Sequence, residues 1–220
     1  MRAFIVANGH VGEGEKYAAL VRPGDLVIAA DGGAAIALQM GLQPQAVIGD
    51  MDSMPVELRG RLEALGCRFL RYPERKDETD TELAMRYALQ EGAQELVFLG
   101  ATGGRLDHTL ANVFLLALPE LRNIDARIVA GRTEVWLTRD SLELEGRPGD
   151  IVTMLPLGQD ALGVESEGLE YALQGDTLRF GQARGVSNVM TAPRARISLG
   201  EGLLLVLHMR SGKRSLPDGD

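Results

Sequence analysis

The sequence contains a single cysteine and only three histidines among its 220 residues. Cys67 therefore has no partner within the chain for a disulfide or for a cysteine-rich zinc site. Aromatic residues make up only 5% of the chain, and no apolar run is long enough to span a membrane. The apolar run at residues 3–7 is also too short for a secretory signal. We therefore expect a cytoplasmic protein that does not enter a membrane.

Basic residues are also in short supply. The chain has 23 Lys and Arg against 31 Asp and Glu, which gives a formal net charge of −8 and a pI near 5.0. A broad basic surface for nucleic acid is therefore not expected. The deficit does not exclude phosphate ligands, because metal ions can bridge acidic side chains to phosphates. Hydrophobic residues at 45% and charged residues at 25% are ordinary for a folded globular chain.

The first part of the chain alternates short apolar segments with amphipathic ones. This alternation is typical of a parallel sheet covered by helices on both faces. Thr79-Asp80-Thr81-Glu82 fits a capping box at the start of a helix, and Ser53 is the expected N-cap ahead of Pro55. The predicted strands are 3–7, 26–30, 46–48, 68–72, 95–99 and 126–130, and the predicted helices are 13–21, 33–40, 55–65, 81–91 and 106–118.

The pattern changes near Gly131, where short β-prone runs separated by Gly and Pro turns begin. Such spacing predicts a β-sandwich or a small barrel. We therefore predict an α/β domain at 1–131, an all-β domain at 132–212 and a flexible tail at 213–220. The β-prone runs are 134–137, 151–155, 162–166, 169–173, 194–198 and 203–207.

Acidic and glycine-rich clusters follow four of the predicted strands of the first domain. In open parallel sheets the ligand crevice lies outside the carboxyl ends of the strands, so these clusters are expected to converge on one rim. The four clusters are Asp31-Gly32-Gly33, Gly49-Asp50-Met51-Asp52-Ser53, Lys76-Asp77-Glu78-Thr79-Asp80 and the segment from Gly100 to His108.

The acidic content of this rim predicts a magnesium site. Mg²⁺ prefers oxygen ligands and often takes one or two carboxylates together with substrate phosphates. Asp50 and Asp52, two residues apart, point to the same side if the backbone is extended. Asp77 and Asp80 supply further carboxylates. So many like charges without a cation would be costly, although each Asp alone could equally be a turn former or helix cap.

The segment Thr102-Gly103-Gly104 predicts a loop that binds phosphate at a helix start. It is not a Walker A loop, and no dinucleotide-binding glycine pattern follows the first strand. Arg105 is a candidate phosphate clamp, or alternatively a partner for nearby carboxylates. In the second domain, Ser187-Asn188 is read either as a turn or as a ligand contact.

These motifs together resemble those of the thiamine pyrophosphokinase family, and the version here is similar to the bacterial branch. They span nearly the whole chain and occur in the family's order, which makes the resemblance specific. The motifs are Ala30-Asp31-Gly32-Gly33-Ala34, Ile48-Gly49-Asp50-Met51-Asp52-Ser53, Lys76-Asp77-Glu78-Thr79-Asp80-Thr81-Glu82, Gly100-Ala101-Thr102-Gly103-Gly104-Arg105-Leu106-Asp107-His108 and Gly185-Val186-Ser187-Asn188.

The resemblance implies an ATP-binding α/β domain, a C-terminal β-sandwich and a homodimer with thiamine bound near the interface. The positions carried over are Asp50, Asp52 and Asp80 for Mg²⁺; Asp31, Gly32, Gly33, Thr102, Gly103, Gly104 and Arg105 for ATP; Asp107 beside the reacting groups; and Ser187 and Asn188 for thiamine. One departure is that residues 203–207 contain no aromatic residue, where some members place one against thiamine.

The activity implied by the resemblance is transfer of diphosphate from ATP to the thiamine hydroxyl, which yields thiamine diphosphate and AMP. Asp107 or Asp77 is the candidate proton acceptor, and the sequence leaves that choice open. Two other functions also remain open: a related diphosphotransferase acting on a hydroxymethylpterin, and a non-catalytic sensor of Mg–nucleotide.

Overall fold

A computed structural model describes residues 1–11, 17–52, 54–73 and 75–212. The chain divides into two compact units, the first covering Met1–Gly131 and the second beginning at Arg132. The expected N-cap Ser53, residues 13–16 of the predicted helix 13–21 and the predicted tail 213–220 lie outside the described residues. Among the helices that are described, none combines the length and the apolar content needed to cross a membrane.

The first unit contains a six-stranded parallel sheet, as the alternating pattern predicts. The strand order across the sheet is β6-β5-β1-β2-β3-β4, and every pairing within it is parallel. Several strands are almost wholly buried, as a sheet covered on both faces requires. The strands are β1 (Arg2–Val6), β2 (Leu26–Ala30), β3 (Ala46–Gly49), β4 (Arg68–Arg71), β5 (Glu95–Leu99) and β6 (Asp125–Ala130).

Four α-helices connect and cover these strands: α1 (Gly33–Gln39), α2 (Val56–Ala64), α3 (Asp80–Gln90) and α4 (Leu106–Leu115). The predicted cap of α3 is confirmed, since the Thr79 hydroxyl accepts a hydrogen bond from the backbone N–H of Glu82 at 3.2 Å. Of the predicted helix 13–21, the described end forms a 3₁₀ turn at Ala18–Leu20. The last predicted helix stops early, and a second 3₁₀ turn follows at Pro119–Leu121.

The second unit is an antiparallel β-sandwich, which confirms the predicted fold class. Its two sheets have the orders β12-β9-β14-β7 and β11-β10-β13-β8. Buried side chains of both sheets form one apolar cluster that includes Met154 and Val206 from one sheet and Val164 and Ile197 from the other. The strands are β7 (Thr133–Thr138), β8 (Ser141–Glu145), β9 (Ile151–Pro156), β10 (Ala161–Glu167), β11 (Gln174–Leu178), β12 (Asn188–Val189), β13 (Arg194–Ser198) and β14 (Leu204–Met209).

One predicted strand of the second unit is wrong. Residues 169–173 form the connection between β10 and β11, and the strand begins only at Gln174. Leu169 and Leu173 are buried, so their apolar character reflects anchoring of this connection in the core. The actual strand, Gln-Gly-Asp-Thr-Leu, is mostly exposed at the edge of its sheet. Its polar composition hid it, because β-propensity largely reports burial.

A buried polar cluster joins the start of β9 to the end of β14. The Asp150 carboxylate lies 2.9 Å from Nε2 of His208, and both side chains are 1% exposed. The backbone N–H and the hydroxyl of Ser211 both donate to Asp150, at 2.7 and 2.8 Å. Burial alone would raise the pKa of Asp150, but these donors outweigh it and hold the pKa at about 2.

Candidate active site

A cleft of the first unit lies at the carboxyl ends of its parallel strands. The chain runs outward from β1 through β4 on one side and returns with β5 and β6 on the other. Adjacent loops therefore diverge between β1 and β5, the topological switch point where ligands bind in open parallel sheets. A cleft of about 550 Å³ opens there and is lined by residues that follow β1, β2, β3, β4 and β5.

The loops after β1 and β5 are joined by backbone hydrogen bonds. The N–H of Gly9 donates to the carbonyl of Gly100 at 2.7 Å, and that of His10 donates to the carbonyl of Thr102 at 3.1 Å. A Cβ on Gly9 would lie 2.2 Å from the Gly100 oxygen, so any larger residue would push the two loops apart. The pairing fixes the glycine-rich segment on the rim of the cleft, and Gly103 in that segment lines the cleft.

Three carboxylates come together in the same cleft. Asp31 follows β2, Asp50 follows β3 and Asp80 begins α3, and all three line the cleft. Gly49 makes room for them, since a Cβ there would lie 2.9 Å from the Asp31 Cβ and 3.3 Å from the Asp80 Cγ. Burial, followed by the charges of Asp80 and Asp50, raises the pKa of Asp31. The carboxylates are thus close enough to repel one another.

Lys76 supplies positive charge to this acidic group. Its ammonium forms an ion pair with Asp80, and its side chain is only 13% exposed. It also lines the cleft, as does Glu78. Across the described ranges, no three His, Cys, Asp or Glu side chains converge closely enough to hold a metal ion by themselves.

Asp52, the other predicted metal ligand, is directed elsewhere. Its carboxylate pairs with the Arg71 guanidinium at 2.6 Å, and both side chains are more than 60% exposed. The backbone N–H of Asp52 donates to Oδ1 of Asp50 at 3.1 Å, which closes a tight turn. Met51 takes a left-handed conformation with φ of 59° between them. Because of this turn, Asp50 lines the cleft and Asp52 does not.

Arg105 and Asp107 form a two-pronged ion pair at the start of α4. The Arg105 Nε lies 3.1 Å from Oδ1 of Asp107, and Nη2 lies 2.5 Å from Oδ2. Arg105 lines the cleft, whereas Asp107 pairs with Arg105 and is not part of the lining. The guanidinium keeps the pKa of Asp107 at about 2. The sequence left two readings of Arg105 open, and its geometry is compatible with both: it contacts a carboxylate and faces the cleft.

The remaining predicted residues of the first unit lie near the cleft without lining it. Asp77 is exposed on the loop before α3, and Thr102 lines a smaller neighbouring cavity of about 250 Å³. Gly32 and Gly33 let α1 approach the sheet, since a Cβ on Gly33 would lie 2.0 Å from the carbonyl oxygen of Val6. Gly104, in contrast, is part of the lining.

The structure adds residues that the motifs did not single out. Asn8 and Gly9 line the cleft from the end of β1, and Asn112 does so from α4. His108, the last residue of the glycine-rich motif, also lines the cleft. Asn112 is buried and donates to the carbonyl of Ala101 at 2.8 Å, which ties the helix to the glycine-rich segment. Asn-Gly directly after a buried strand was a usable signal, but its importance depends on β1 lying beside β5.

In the second unit, Ser187 and Asn188 differ in exposure. Asn188 is buried, and its amide is bonded to both the N–H and the carbonyl of Tyr171, at 3.0 and 2.8 Å. Ser187 is exposed in a left-handed conformation, with its N–H bonded to the Thr153 hydroxyl at 3.0 Å. Asn188 therefore shapes the loop that carries Tyr171, while Ser187 presents its hydroxyl to solvent.

Comparison with known proteins identifies two matching domains. The family model for the thiamin pyrophosphokinase catalytic domain matches residues 17–128, and that for the thiamin pyrophosphokinase vitamin B1 binding domain matches residues 141–204. Thiamine pyrophosphokinase of Bacillus subtilis is 27% identical over 184 residues, covering 83% of this chain and 86% of that protein. Thiamine pyrophosphokinase 1 of Arabidopsis thaliana is 23% identical, covering 84% of this chain and 72% of that one.

Solved structures share the fold. The thiamine pyrophosphokinase of Bacillus subtilis superposes with a TM-score of 0.85 at 24% identity, covering 96% of this chain and 100% of that one. The yeast thiamin pyrophosphokinase superposes with a TM-score of 0.76 at 16% identity, covering 94% of this chain and 86% of that one. The catalytic-domain match alone covers just over half of the chain, so the chain belongs to the thiamin pyrophosphokinase family.

Proposed function

We propose that this protein transfers the terminal diphosphate of ATP to the hydroxyl of thiamine, and that the reaction requires Mg²⁺. Family membership supports this activity. The observation that carries it is one cleft lined by both a glycine-rich segment with Arg105 and the carboxylates of Asp31, Asp50 and Asp80. Cationic and backbone donors for phosphate therefore share this cleft with oxygen ligands for a metal.

The nucleotide phosphates are proposed to bind along Gly103, Gly104 and Arg105. Backbone N–H groups at the start of α4 and the helix dipole favour anions there. The Arg105 guanidinium is held by Asp107 on one edge, which keeps it oriented for a phosphate oxygen. Asp31, Gly32, Gly33 and Thr102 are proposed to support the nucleotide side of the same cleft.

The donor set of the cleft fits Mg²⁺. The acidic side chains that line the cleft supply carboxylate oxygens. Mg²⁺ takes one or two carboxylates together with phosphates and waters. Asp50 and Asp80 are proposed as ligands from within the cleft, and Asp52 as a third once it leaves Arg71. When bound, Mg²⁺ neutralises phosphate charge and favours in-line displacement.

Proton removal from the thiamine hydroxyl has two candidate acceptors, Asp107 and Asp77. The pKa of Asp107 is about 2 because Arg105 stabilises its charged form. A group this acidic is a weak base at neutral pH, so we assign Asp107 to the orientation of Arg105. Asp77 is exposed on the loop before α3 and stays the proposed acceptor, either directly or through water.

Thiamine is proposed to bind near Ser187 and Asn188 at a homodimer interface. One face of α4 supports such an interface, since Leu106, Leu110 and Phe114 are spaced four residues apart and are 72%, 46% and 52% exposed. An apolar stripe of this kind gains free energy when a second copy covers it. A cytoplasmic location is proposed because ATP is the phosphate donor.

The deciding experiment follows labelled phosphate. With ATP labelled at the γ-phosphate, thiamine and Mg²⁺, label is expected in the terminal phosphate of thiamine diphosphate, with unlabelled AMP released. ADP as the stoichiometric nucleotide product would reject diphosphate transfer even if thiamine is the acceptor. A parallel reaction with a hydroxymethylpterin tests that alternative acceptor. Nucleotide binding with no AMP formed from either acceptor would instead support the non-catalytic sensor.

A further inference from the structure

Lys76 is unusually enclosed for a lysine in a cleft that must bind a metal and phosphates. Its side chain is 13% exposed, and its ammonium contacts the carboxylate of Asp80, itself 30% exposed. The ammonium also lies 5.7 Å from the centre of the Tyr72 ring, a favourable position for a cation. Enclosed lysines are rare unless they are paired, and the carboxylate of Asp80 pairs with Lys76.

The charges around Lys76 explain what it neutralises. Asp31, Asp50, Glu78 and Asp80 all line the same cleft. Arg105 is the other cationic side chain among the described lining residues, and it is paired with Asp107. Without a cation beside Asp80, the acidic groups would repel one another at close range. The ammonium therefore offsets part of the negative charge of this group at Asp80.

We propose that Lys76 is a resident counter-cation, which occupies Asp80 in the free protein, keeps divalent metal binding weak, and is released to a phosphate oxygen when metal and nucleotide enter together. The proposal rests on the proposed function, since it assumes that the cleft binds a metal–nucleotide complex. It makes Lys76 a positioning residue in the free protein and a phosphate ligand in the complex. The physical cause is competition, because an ammonium and a metal ion seek the same carboxylate.

The first test measures Mn²⁺ binding to the protein without nucleotide, by electron paramagnetic resonance of the free ion. Removing one positive charge a few ångströms from the ligands should tighten Mn²⁺ binding in Lys76→Gln by about tenfold or more. Lys76→Arg keeps the charge and should bind as weakly as wild type. Arg86→Gln is the matched control, because it removes one positive charge and an i,i+4 ion pair from α3 outside the cleft.

Two outcomes would overturn the proposal. One is Lys76→Gln binding Mn²⁺ no more tightly than wild type, and the other is Arg86→Gln tightening binding as much as Lys76→Gln. Neither outcome touches the proposed function, which the separate assay for AMP and thiamine diphosphate decides. If that assay fails while Lys76→Gln still binds Mn²⁺ more tightly, the counter-cation role survives and the assigned reaction does not.

A second measurement uses the wild-type protein and does not depend on any variant folding. Mg²⁺ alone, compared with NaCl at equal ionic strength, is expected to leave the melting temperature unchanged. Mg²⁺ with ATP is expected to raise it, because binding to the folded state stabilises it. A rise with Mg²⁺ alone equal to that with Mg²⁺ and ATP would show that Lys76 does not keep the metal out.

Discussion

At the scale of single residues, the cleft depends on which carboxylates are already paired. Asp80 is paired with Lys76 and Asp52 with Arg71, and Gly49 lies so close to Asp31 and Asp80 that a Cβ on it would be 2.9 Å from the Asp31 Cβ. The Asp52 pair is exposed and the Asp80 pair is half-buried. An exposed ion pair contributes little to stability, so what matters for the cleft is the charge that each pair neutralises. The proposed function therefore requires Asp52 and Asp80 to exchange partners when a ligand binds.

Asp52 provides the first prediction. Its ion pair with Arg71 is exposed and contributes at most about 1 kcal/mol, so Asp52→Asn should fold normally. If Asp52 is a metal ligand during turnover, Asp52→Asn should lower kcat/KM for AMP formation by about a hundredfold. This fall corresponds to about 3 kcal/mol of lost transition-state stabilisation. Arg71→Ala breaks the same pair but keeps the carboxylate, and it should stay active. Unchanged turnover in a folded Asp52→Asn protein would remove Asp52 from the mechanism.

At the scale of elements, the functional groups are held by connections between strands. Backbone hydrogen bonds tie the loop after β1 to the loop after β5, and Asn112 ties α4 to the same segment. In the sandwich, Asp150 connects the start of β9 with the end of β14 through His208 and with Ser211 just beyond. The Asn112 tie spans only eleven residues, but the other ties are long-range in sequence and depend on the completed fold.

The Asp150 cluster predicts that the stability of the folded protein falls at acidic pH. The pKa of Asp150 is about 2 in the folded protein, below its usual 3.8, so the ionised form stabilises the fold. This contribution, about 2 kcal/mol, is complete above pH 5 and is lost as the pH falls through 4 towards 2. Urea unfolding at pH 6 and pH 3 should show the advantage of wild type over Asp150→Asn shrinking by about 1 kcal/mol.

The control for this prediction is Glu143→Gln, which removes an exposed carboxylate from β8 in the same unit. Its difference from wild type should be small and should not change between the two pH values. An advantage of wild type over Asp150→Asn that stays constant with pH would mean that the charge of Asp150 does not stabilise the fold.

At the scale of the whole molecule, the exposed apolar stripe on α4 is the feature that supports the proposed dimer. Leu106, Leu110 and Phe114 stand on one face of a helix whose first turn borders the cleft. A second copy covering this stripe would bring new side chains next to the site. Assembly and activity are therefore expected to be coupled, as the proposed shared thiamine site requires.

The corresponding prediction is that Phe114→Glu separates the dimer. Covering a large apolar side chain contributes about 2 kcal/mol, and a buried unpaired carboxylate would add a penalty. Light scattering at micromolar concentration should report a dimer for wild type and a monomer for Phe114→Glu. Val56→Glu makes the same kind of change on α2 at a residue that is 81% exposed, and it should stay dimeric. A fully active wild-type monomer would reject the shared site.

The sequence by itself determined most elements of the first unit and the acidic and glycine-rich groups of the cleft. Strand and helix positions in the first unit follow from local periodicity, and the start of α3 follows from the hydrogen bond that Thr79 makes to a residue three positions away. The placing of acidic and glycine-rich groups after strands also followed from sequence, because parallel strands share one carboxyl edge. The motifs then led to the family.

The tertiary structure alone decided which of these groups meet. Asn8 and Gly9 gain importance only because β1 lies beside β5, and strand order is not encoded in any local pattern. The partners of Asp52 and Lys76 depend on side-chain directions set by the turn at Met51 and the start of α3. The strand beginning at Gln174 was missed because an exposed edge needs few apolar residues. Local patterns fix local structure, whereas contacts between distant residues are fixed by packing of the whole fold.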